Sequence, residues 1–317
     1  MEGAMAEAEI VAAEPKAKRM SDGTAYLLLT LAMIAWSANI VVVRGIIEEV
    51  PPFALSIGRW VIALLAILPF VGRELYVKRQ MIRRQWRLFL LLGFLVGTLT
   101  NGLTYLGATM STAINAGLVN SAAPTLTLAV SYLLYRERVT WGQIQGIVLS
   151  SLGVITILAH GSLDVLAHLN FNWGDLLYFG AVCAWAFYSV LIRRVPPELS
   201  PAAFVSTLFM VGIVTFIPLH FLFQEKPFSA IPWTLEVAGA FLYMAFLPAI
   251  FSFVSWNAAV KVIGANRASP FNHLSPLVTT ILAYLFLHEE LALYHPVGAA
   301  LIFAGIYLTG RKPSGAS

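Results

Sequence analysis

The chain is short of charge. Only 11% of its 317 residues are Asp, Glu, Lys or Arg, 59% are hydrophobic, and mean hydropathy is +0.79. Soluble domains carry about 25% charged residues, so this composition excludes a soluble globular protein and predicts a polytopic membrane protein. Cysteine is nearly missing. The one present, Cys183, lies inside an apolar run, which excludes a disulfide within the chain and a cysteine-based metal site. There is no Gly-rich phosphate loop, no His-Glu-x-x-His and no Gly-x-Ser-x-Gly elbow. Paired carboxylates within the apolar runs are also missing. An intramembrane enzyme would need such groups, so none is expected, and neither is a cofactor or a metal. The net charge of +4 does not point to nucleic acid, because the basic residues sit in short loops between apolar runs.

What is present is a series of apolar runs. About 20 apolar residues cross a bilayer as a helix, and ten such spans can be placed at 24–46, 52–71, 87–107, 112–135, 142–159, 173–193, 202–223, 236–256, 267–287 and 294–310. The third and eighth have room to run on towards the loops that follow them. Pro51, Pro52, Pro196, Pro197 and Pro201 punctuate the connections. Residues 1–21 read as a disordered cytoplasmic tail. The first span is too long for a cleaved leader and is read as a retained helix. With the N-terminus inside, Arg44 and Lys226 fall outside and Arg59 within a span, while the other seventeen of the twenty Lys and Arg fall on the cytoplasmic side. The positive-inside rule then predicts both termini in the cytoplasm.

The spans repeat. At an offset of 152, Ala113, Ala116, Asn120, Pro124, Thr127, Tyr132, Glu137, Gly146 and Gly153 overlay Ala265, Ala268, Asn272, Pro276, Thr279, Tyr284, Glu289, Gly298 and Gly305. At an offset of 149, Ala35, Trp36, Val41 and Arg44 overlay Ala184, Trp185, Val190 and Arg193. The loop Arg136-Glu137-Arg138 becomes His288-Glu289-Glu290 in the second copy. An opposite loop charge is expected of two copies inserted in opposite directions, and five spans per copy make the second inverted. The expected organisation is a first repeat at 22–160, a periplasmic connection at 161–172 and a second repeat at 173–312. The fold class is thus all-α and integral to the membrane, with ten transmembrane helices in two inverted five-helix repeats.

Several residues together carry a family resemblance. The first span holds Ala-Trp-Ser-Ala-Asn (35–39), the second an intramembrane Arg59, and the fourth Asn120-x-x-x-Pro124 ending at Arg136-Glu137-Arg138. The fifth carries Gly146 and Gly153 seven residues apart. This pattern resembles the ten-helix EamA branch of the drug/metabolite transporter superfamily over residues 24–310. Within that branch it is similar to the YddG-type exporters of aromatic amino acids. The resemblance implies a central cavity between the repeats, lined by helices one to four and six to nine, with helices five and ten outside it.

Candidate site residues follow from polar and aromatic groups placed in lipid-spanning runs. Asn101, Thr104 and Tyr105 form one stripe on the third span, and Ser252 and Trp256 lie at the equivalent depth on the eighth. Trp36 with Asn39 on the first span and Trp185 with Tyr188 on the sixth complete a ring suited to a flat, net-neutral ligand. Packing alone is the alternative for any one of these aromatics. Asn120 and Asn272, each four residues before a proline, are expected to face the interior beside a bend, with His273 next in sequence. Arg59 is read as a structural arginine, with a substrate carboxylate as the other reading. Pro124, Pro248 and Pro276 are places where helices can bend as one side closes. The glycine pairs at 146/153 and 298/305 are read as packing faces.

All sixteen Asp and Glu can be placed at span ends, in loops or in the tail. Ion-coupled transporters commonly keep one inside. The lack of one here points to facilitated diffusion, and the resemblance implies export of small neutral or zwitterionic metabolites, aromatic and other amino acids among them, by alternating access across a bacterial inner membrane. The partners are the small-molecule substrate and the lipid bilayer, and the chain is expected to act as a monomer. A proton-coupled antiporter using His273 is the alternative, followed by an exchanger of phosphorylated or nucleotide sugars.

Overall fold

A computed structural model of the protein describes residues 20–46, 49–223, 227–287 and 292–310. The tail to residue 19, the loop His288-Glu289-Glu290 and Glu48, Glu225, Lys226, Arg311 and Lys312 lie outside them, as does the Arg44 side chain. The loop-charge comparison and the tail expectation therefore rest on sequence alone.

Among the described residues the chain forms ten long helices and no strand. They are α1 (Asp22–Ile46), α2 (Pro52–Val77), α3 (Trp86–Ala108), α4 (Ala113–Asn120 continued by Ala123–Tyr135) and α5 (Trp141–Leu158). The second set is α6 (Trp173–Leu191), α7 (Pro201–Leu222), α8 (Leu235–Ile263), α9 (from Ala265, ending in Leu274–Leu287) and α10 (Tyr294–Gly310). Eight of the ten are long and apolar enough to cross a bilayer. The described parts of α9 and α10 fall short on length, the last segment of α9 having 14 residues and α10 having 17. α2 runs six residues past its expected end at 71, because Arg73, Glu74 and Tyr76 continue the helix and Lys78 pairs back to Glu74 at 2.8 Å. α8 runs on seven residues past 256.

The sequence sets the helix ends locally. Thr140 with Gln143, and Asn172 with Asp175, close reciprocal capping boxes at the starts of α5 and α6. Pro52 and Pro201 open α2 and α7 at a position whose amide has no helical partner. α8 stops where Gly264 adopts φ +81°, a conformation that favours glycine.

Equivalent helices of the two repeats run antiparallel, which makes the inversion a geometric fact. Glu74 Oε1 accepts from the Ser200 amide at 2.8 Å at one end of the α2–α7 pair. Trp60 meets Phe209 at 5.6 Å midway, and Phe53 meets Phe223 at 5.2 Å at the other end. α5 and α10 pair likewise. A Cβ placed on Gly153 would lie 2.6 Å from the Gly298 carbonyl oxygen, and one on Gly146 would lie 2.5 Å from that of Gly305. The stripes of small residues are thus the faces on which these two helices meet, backbone to backbone. The bundle has a basic end, where Lys78, Arg83, Arg136, Arg193, Lys261 and Arg267 lie, and a far end, where α1 and α7 finish. The core runs through the middle, with Trp60, Tyr188, Phe204, Phe209, Phe216 and Trp256 fully buried.

Candidate functional site

α3 and α8 share a feature that the span pattern does not reveal. Each contains a π-helical segment at the same place in its repeat, Leu95–Gly102 in α3 and Ala245–Phe251 in α8. A π turn skips the usual i→i−4 bond and often marks a functional place in a membrane or soluble helix. Polar side chains reach back five residues to the carbonyls involved. Asn101 Nδ2 donates to the Val96 oxygen at 2.6 Å, and Ser252 Oγ to the Leu247 oxygen at 2.9 Å. Both pairs are related by the same offset of 151. Pro248 lies within the second segment, and its carbonyl accepts from Trp36 Nε1 at 2.8 Å.

The two tryptophans at equivalent positions, Trp36 and Trp185, meet edge to face with ring centroids 5.6 Å apart and planes at 83°. Trp256 closes on both, at 5.9 Å and 5.1 Å, and Phe253 touches Trp36 at 5.4 Å. Tyr188 stacks against Trp185 at 5.4 Å and donates its hydroxyl to Asn257 Oδ1 at 2.9 Å. Trp36 and Trp185 are half-buried, whereas Trp256, Tyr188 and Ser252 are fully buried. The aromatic group therefore presents two rings and encloses the rest.

A second pair of equivalent residues meets on the same pseudo-symmetry axis. His273 Nε2 sits 3.0 Å from the Ser121 carbonyl oxygen, and 273 and 121 differ by the repeat offset of 152. His273 Nδ1 is buried without a partner. α4 is interrupted at Ser121–Ala122, just before Pro124, and α9 passes through a 3₁₀ turn over Ser269–His273 just before Pro276. The neighbouring asparagines differ. Asn272 donates to the Ser269 oxygen at 2.8 Å and is half-buried, while Asn120 is exposed.

On the far-end side of the tryptophans lies a polar region. Asn39, Asn101, Thr104 and Tyr105 are half-buried there. Thr104 bonds its own helix at the Thr100 oxygen (2.6 Å), and Tyr105 packs on Phe53 at 6.4 Å. Asn39 Oδ1 is buried without a partner. Arg59 is 5% exposed, and its Nη2 donates to Asn101 Oδ1 at 3.0 Å. Sequence reasoning named Arg59 and Asn101 separately and missed that they touch. The shared depth was the available signal, since each lies seven residues from the far end of its helix. It also missed Phe253, which looks like plain packing in sequence, and that Asn257 bonds Tyr188.

The basic end is tied shut across the repeats. Glu74 accepts from the Ser200 amide and, at 2.6 Å, from its hydroxyl. Glu137 accepts from Asn266 at 2.9 Å and from Arg193, and Asp22 accepts from Arg267 at 3.1 Å. Each of these acids belongs to the first repeat and each of those donors to the second. At the far end Asp175, 4% exposed, accepts from Asn115 at 3.0 Å and from Ser111. Among the described residues no group of three His, Cys, Asp or Glu is placed to hold a metal.

In sequence the chain is similar to proteins named as transporters. The chain is 28% identical to an uncharacterized transporter, YyaM, of Bacillus subtilis (strain 168) over 73% of this chain and 75% of that one. It is 25% identical to an uncharacterized transporter of Archaeoglobus fulgidus over 90% of this chain and 97% of that one. It is also 26% identical to a "Probable amino-acid metabolite efflux pump" of Salmonella typhimurium, over 89% and 93%. A crystal structure superposes with a TM-score of 0.74 at 19% identity, covering 91% of this chain and 96% of that one, which shows the shared fold. Residues 23–159 and 172–311 each match the EamA-like transporter family, and the chain belongs to that family as a multi-pass membrane protein.

Proposed function

We propose that this transporter exports small net-neutral metabolites, aromatic and other amino acids among them, by alternating access and without ion coupling. The observation that carries the reading is the meeting of Trp36 and Trp185 on the pseudo-symmetry axis, with half-buried polar groups beside them on α1 and α3. The two half-buried rings offer stacking to a flat side chain, and amide and hydroxyl groups offer hydrogen bonds without net charge. A site at the interface of inverted repeats is where alternating access needs it, because rocking one repeat against the other exposes it to either side in turn. The acids of the described spans sit at the helix ends, Asp22, Glu74 and Asp175 bonded across the repeats there, which favours facilitated diffusion. The efflux pump among the relatives favours amino-acid metabolites as cargo.

The positive-inside rule puts the basic end in the cytoplasm, and relatives in Bacillus subtilis and Salmonella typhimurium favour a bacterial inner membrane. The cross-repeat bonds at that end are then the ones that must break for it to open towards the cytoplasm, as those of Asp175 must break at the far end. One chain contains both repeats, so a monomer encloses a complete path. The test is flux from proteoliposomes loaded with labelled Trp, Phe, Met, Thr and Asp. Efflux of the neutral amino acids, unchanged by a pH gradient, is expected. Failure to move any of them overturns the substrate reading.

A second reading has an observation of its own. His273 bonds the opposite repeat through Nε2 and leaves Nδ1 unpartnered. A proton on that ring would change a contact between the repeats, so flux driven by the pH gradient and lost in His273→Gln would replace diffusion by proton coupling.

A further inference from the structure

Arg59 is a buried cation with a neutral partner. Its single described hydrogen bond runs to Asn101 Oδ1, and its Nε is buried with nothing to donate to. Neither the loop acid nor the backbone carbonyl that a structural arginine would use is among its described partners. The described ion pairs hold Asp22, Glu74, Glu137 and Asp164, all at helix ends or in connections, and Asp175 is bonded at the far end. Arg59 lies about 10 Å in from the start of α2 at the α-helical rise. A guanidinium keeps its charge in any protein setting. Its other described contact is the Trp60 ring, 5.8 Å from Cζ, so it is buried among neutral groups with no anion among its described partners, which makes it a candidate functional residue in a membrane helix.

Its surroundings repeat the imbalance. One turn away on α2, Ser56 Oγ is buried without a partner, and one turn from Asn101 on α3, Thr98 Oγ1 is too. Each hydroxyl has a proton to give and Arg59 Nε has nothing to donate to, so one anionic acceptor could take hydrogen bonds from all three. A carboxylate matches the planar guanidinium fork with two parallel hydrogen bonds. One cation among neutral hydroxyls balances one negative charge, which favours a carboxylate over a phosphate dianion. Aromatic contacts lead from here to the tryptophan pair: Trp60, the next residue, meets Phe253 at 6.5 Å, and Phe253 meets Trp36.

We propose that Arg59, with Ser56 and Thr98, forms the subsite that takes the carboxylate of the cargo, so that the transported class is molecules carrying one free carboxylate. This rests on the transport reading above and narrows it. The carboxylate sits towards the far end at Arg59, and the flat side chain reaches towards Trp36 and Trp185.

The experiment compares phenylalanine with phenylalanine amide, which keeps the ring and the amino group and removes the acid. In proteoliposomes the wild type is expected to prefer the acid by about tenfold to a hundredfold, the effect of leaving a buried charged group unpartnered. Arg59→Gln is expected to erase that preference, and Ser56→Ala to raise KM for the acid several-fold while leaving the amide unchanged. Equal wild-type flux of acid and amide overturns the proposal and leaves the transport reading standing. A uniform slowing of both compounds in Arg59→Gln and Ser56→Ala does the same. If neither compound moves, the transport reading has failed for this cargo, and quenching of tryptophan fluorescence by phenylacetate against phenylacetamide decides the subsite alone. Selective quenching by the acid supports it, and equal or absent quenching sinks it. Should Arg59→Gln not fold, the wild-type acid-to-amide ratio and Ser56→Ala carry the decision.

Discussion

Asn115 and Arg267 occupy the same place in the two repeats, and each donates to an aspartate in the first turn of the other repeat's first helix. Asn115 Nδ2 reaches Asp175 at 3.0 Å at the far end, and Arg267 Nη2 reaches Asp22 at 3.1 Å at the basic end. One latch is a hydrogen bond to a neutral amide and the other an ion pair, so the two ends are not held alike. Arg267 also donates to the Gly310 carbonyl at 2.9 Å, tying α9 to the end of α10.

The asymmetry predicts a shift in conformational balance. Arg267→Asn makes the basic latch resemble the far one. The pair is partly exposed, with 18% of the Arg267 and 36% of the Asp22 side chain open to solvent, so its net worth is about 1 kcal/mol. That corresponds to about fivefold in the ratio of closed to open states. The measurement is the labelling rate, from the basic side, of a cysteine introduced at the buried Ala259 in a Cys183→Ser background. A faster rate in Arg267→Asn is expected, and an unchanged rate would remove the latch from the gating account.

The α5–α10 contact predicts a steep dependence on side-chain size. Gly153→Val and Gly305→Val place new carbon against backbone atoms that cannot rotate away, since even a Cβ alone at either glycine would press on a carbonyl oxygen of the opposite helix. Overpacking of this kind costs about 1–3 kcal/mol. Gly45→Ala and Gly72→Ala, where nothing lies within 4 Å, serve as controls. Thermal unfolding in detergent should separate the two groups, with the first lowered and the second unchanged or slightly raised by the better helix propensity of alanine.

Much of this architecture was legible in the sequence because repetition leaves a trace in residue identities. The overlay pairs Trp36 with Trp185 and residue 121 with residue 273, but that these pairs meet on the axis is visible only in the structure. The π segments left no such trace. An inserted residue changes which backbone groups pair, but it does not change hydropathy, and the run from Leu95 to Gly102 looks like ordinary span. The extent of α2 was underestimated because Arg73 and Glu74 end the apolar run and not the helix. The partners of Arg59 and Glu137 were invisible for a different reason: Asn101 and Asn266 lie 42 and 129 residues away, and nothing in their local sequence records that separation.

The π segment of α3 predicts that Asn101 is structural as well as a neighbour of cargo. Its amide donates to the Val96 oxygen while its oxygen accepts from Arg59. Asn101→Ala removes both and leaves a buried cation with no described hydrogen-bond acceptor and only the Trp60 ring beside it, a change expected to destabilise by about 2–3 kcal/mol. Ser252→Ala, which loses only neutral bonds to the Leu247 and Ala32 oxygens, is expected to lose about 1 kcal/mol. Equal melting shifts for the two variants would mean that Asn101 does not hold Arg59.

Trp36 separates stacking from hydrogen bonding. Trp36→Phe keeps a ring against Trp185 and Phe253 but removes Nε1, leaving the Pro248 carbonyl in the π segment of α8 without that donor. Trp36→Leu removes the ring as well. An aromatic pair is worth about 0.5–1.5 kcal/mol beyond its burial, and the neutral hydrogen bond about 1 kcal/mol. Both variants should therefore melt below the wild type, Trp36→Leu further than Trp36→Phe. Flux of an aromatic amino acid should survive in Trp36→Phe and fall in Trp36→Leu, while flux of Thr should fall less. If Trp36→Phe loses aromatic flux as fully as Trp36→Leu, the contribution of Trp36 lies in bracing Pro248 at the bend of α8, and recognition of the flat side chain passes to Trp185 alone.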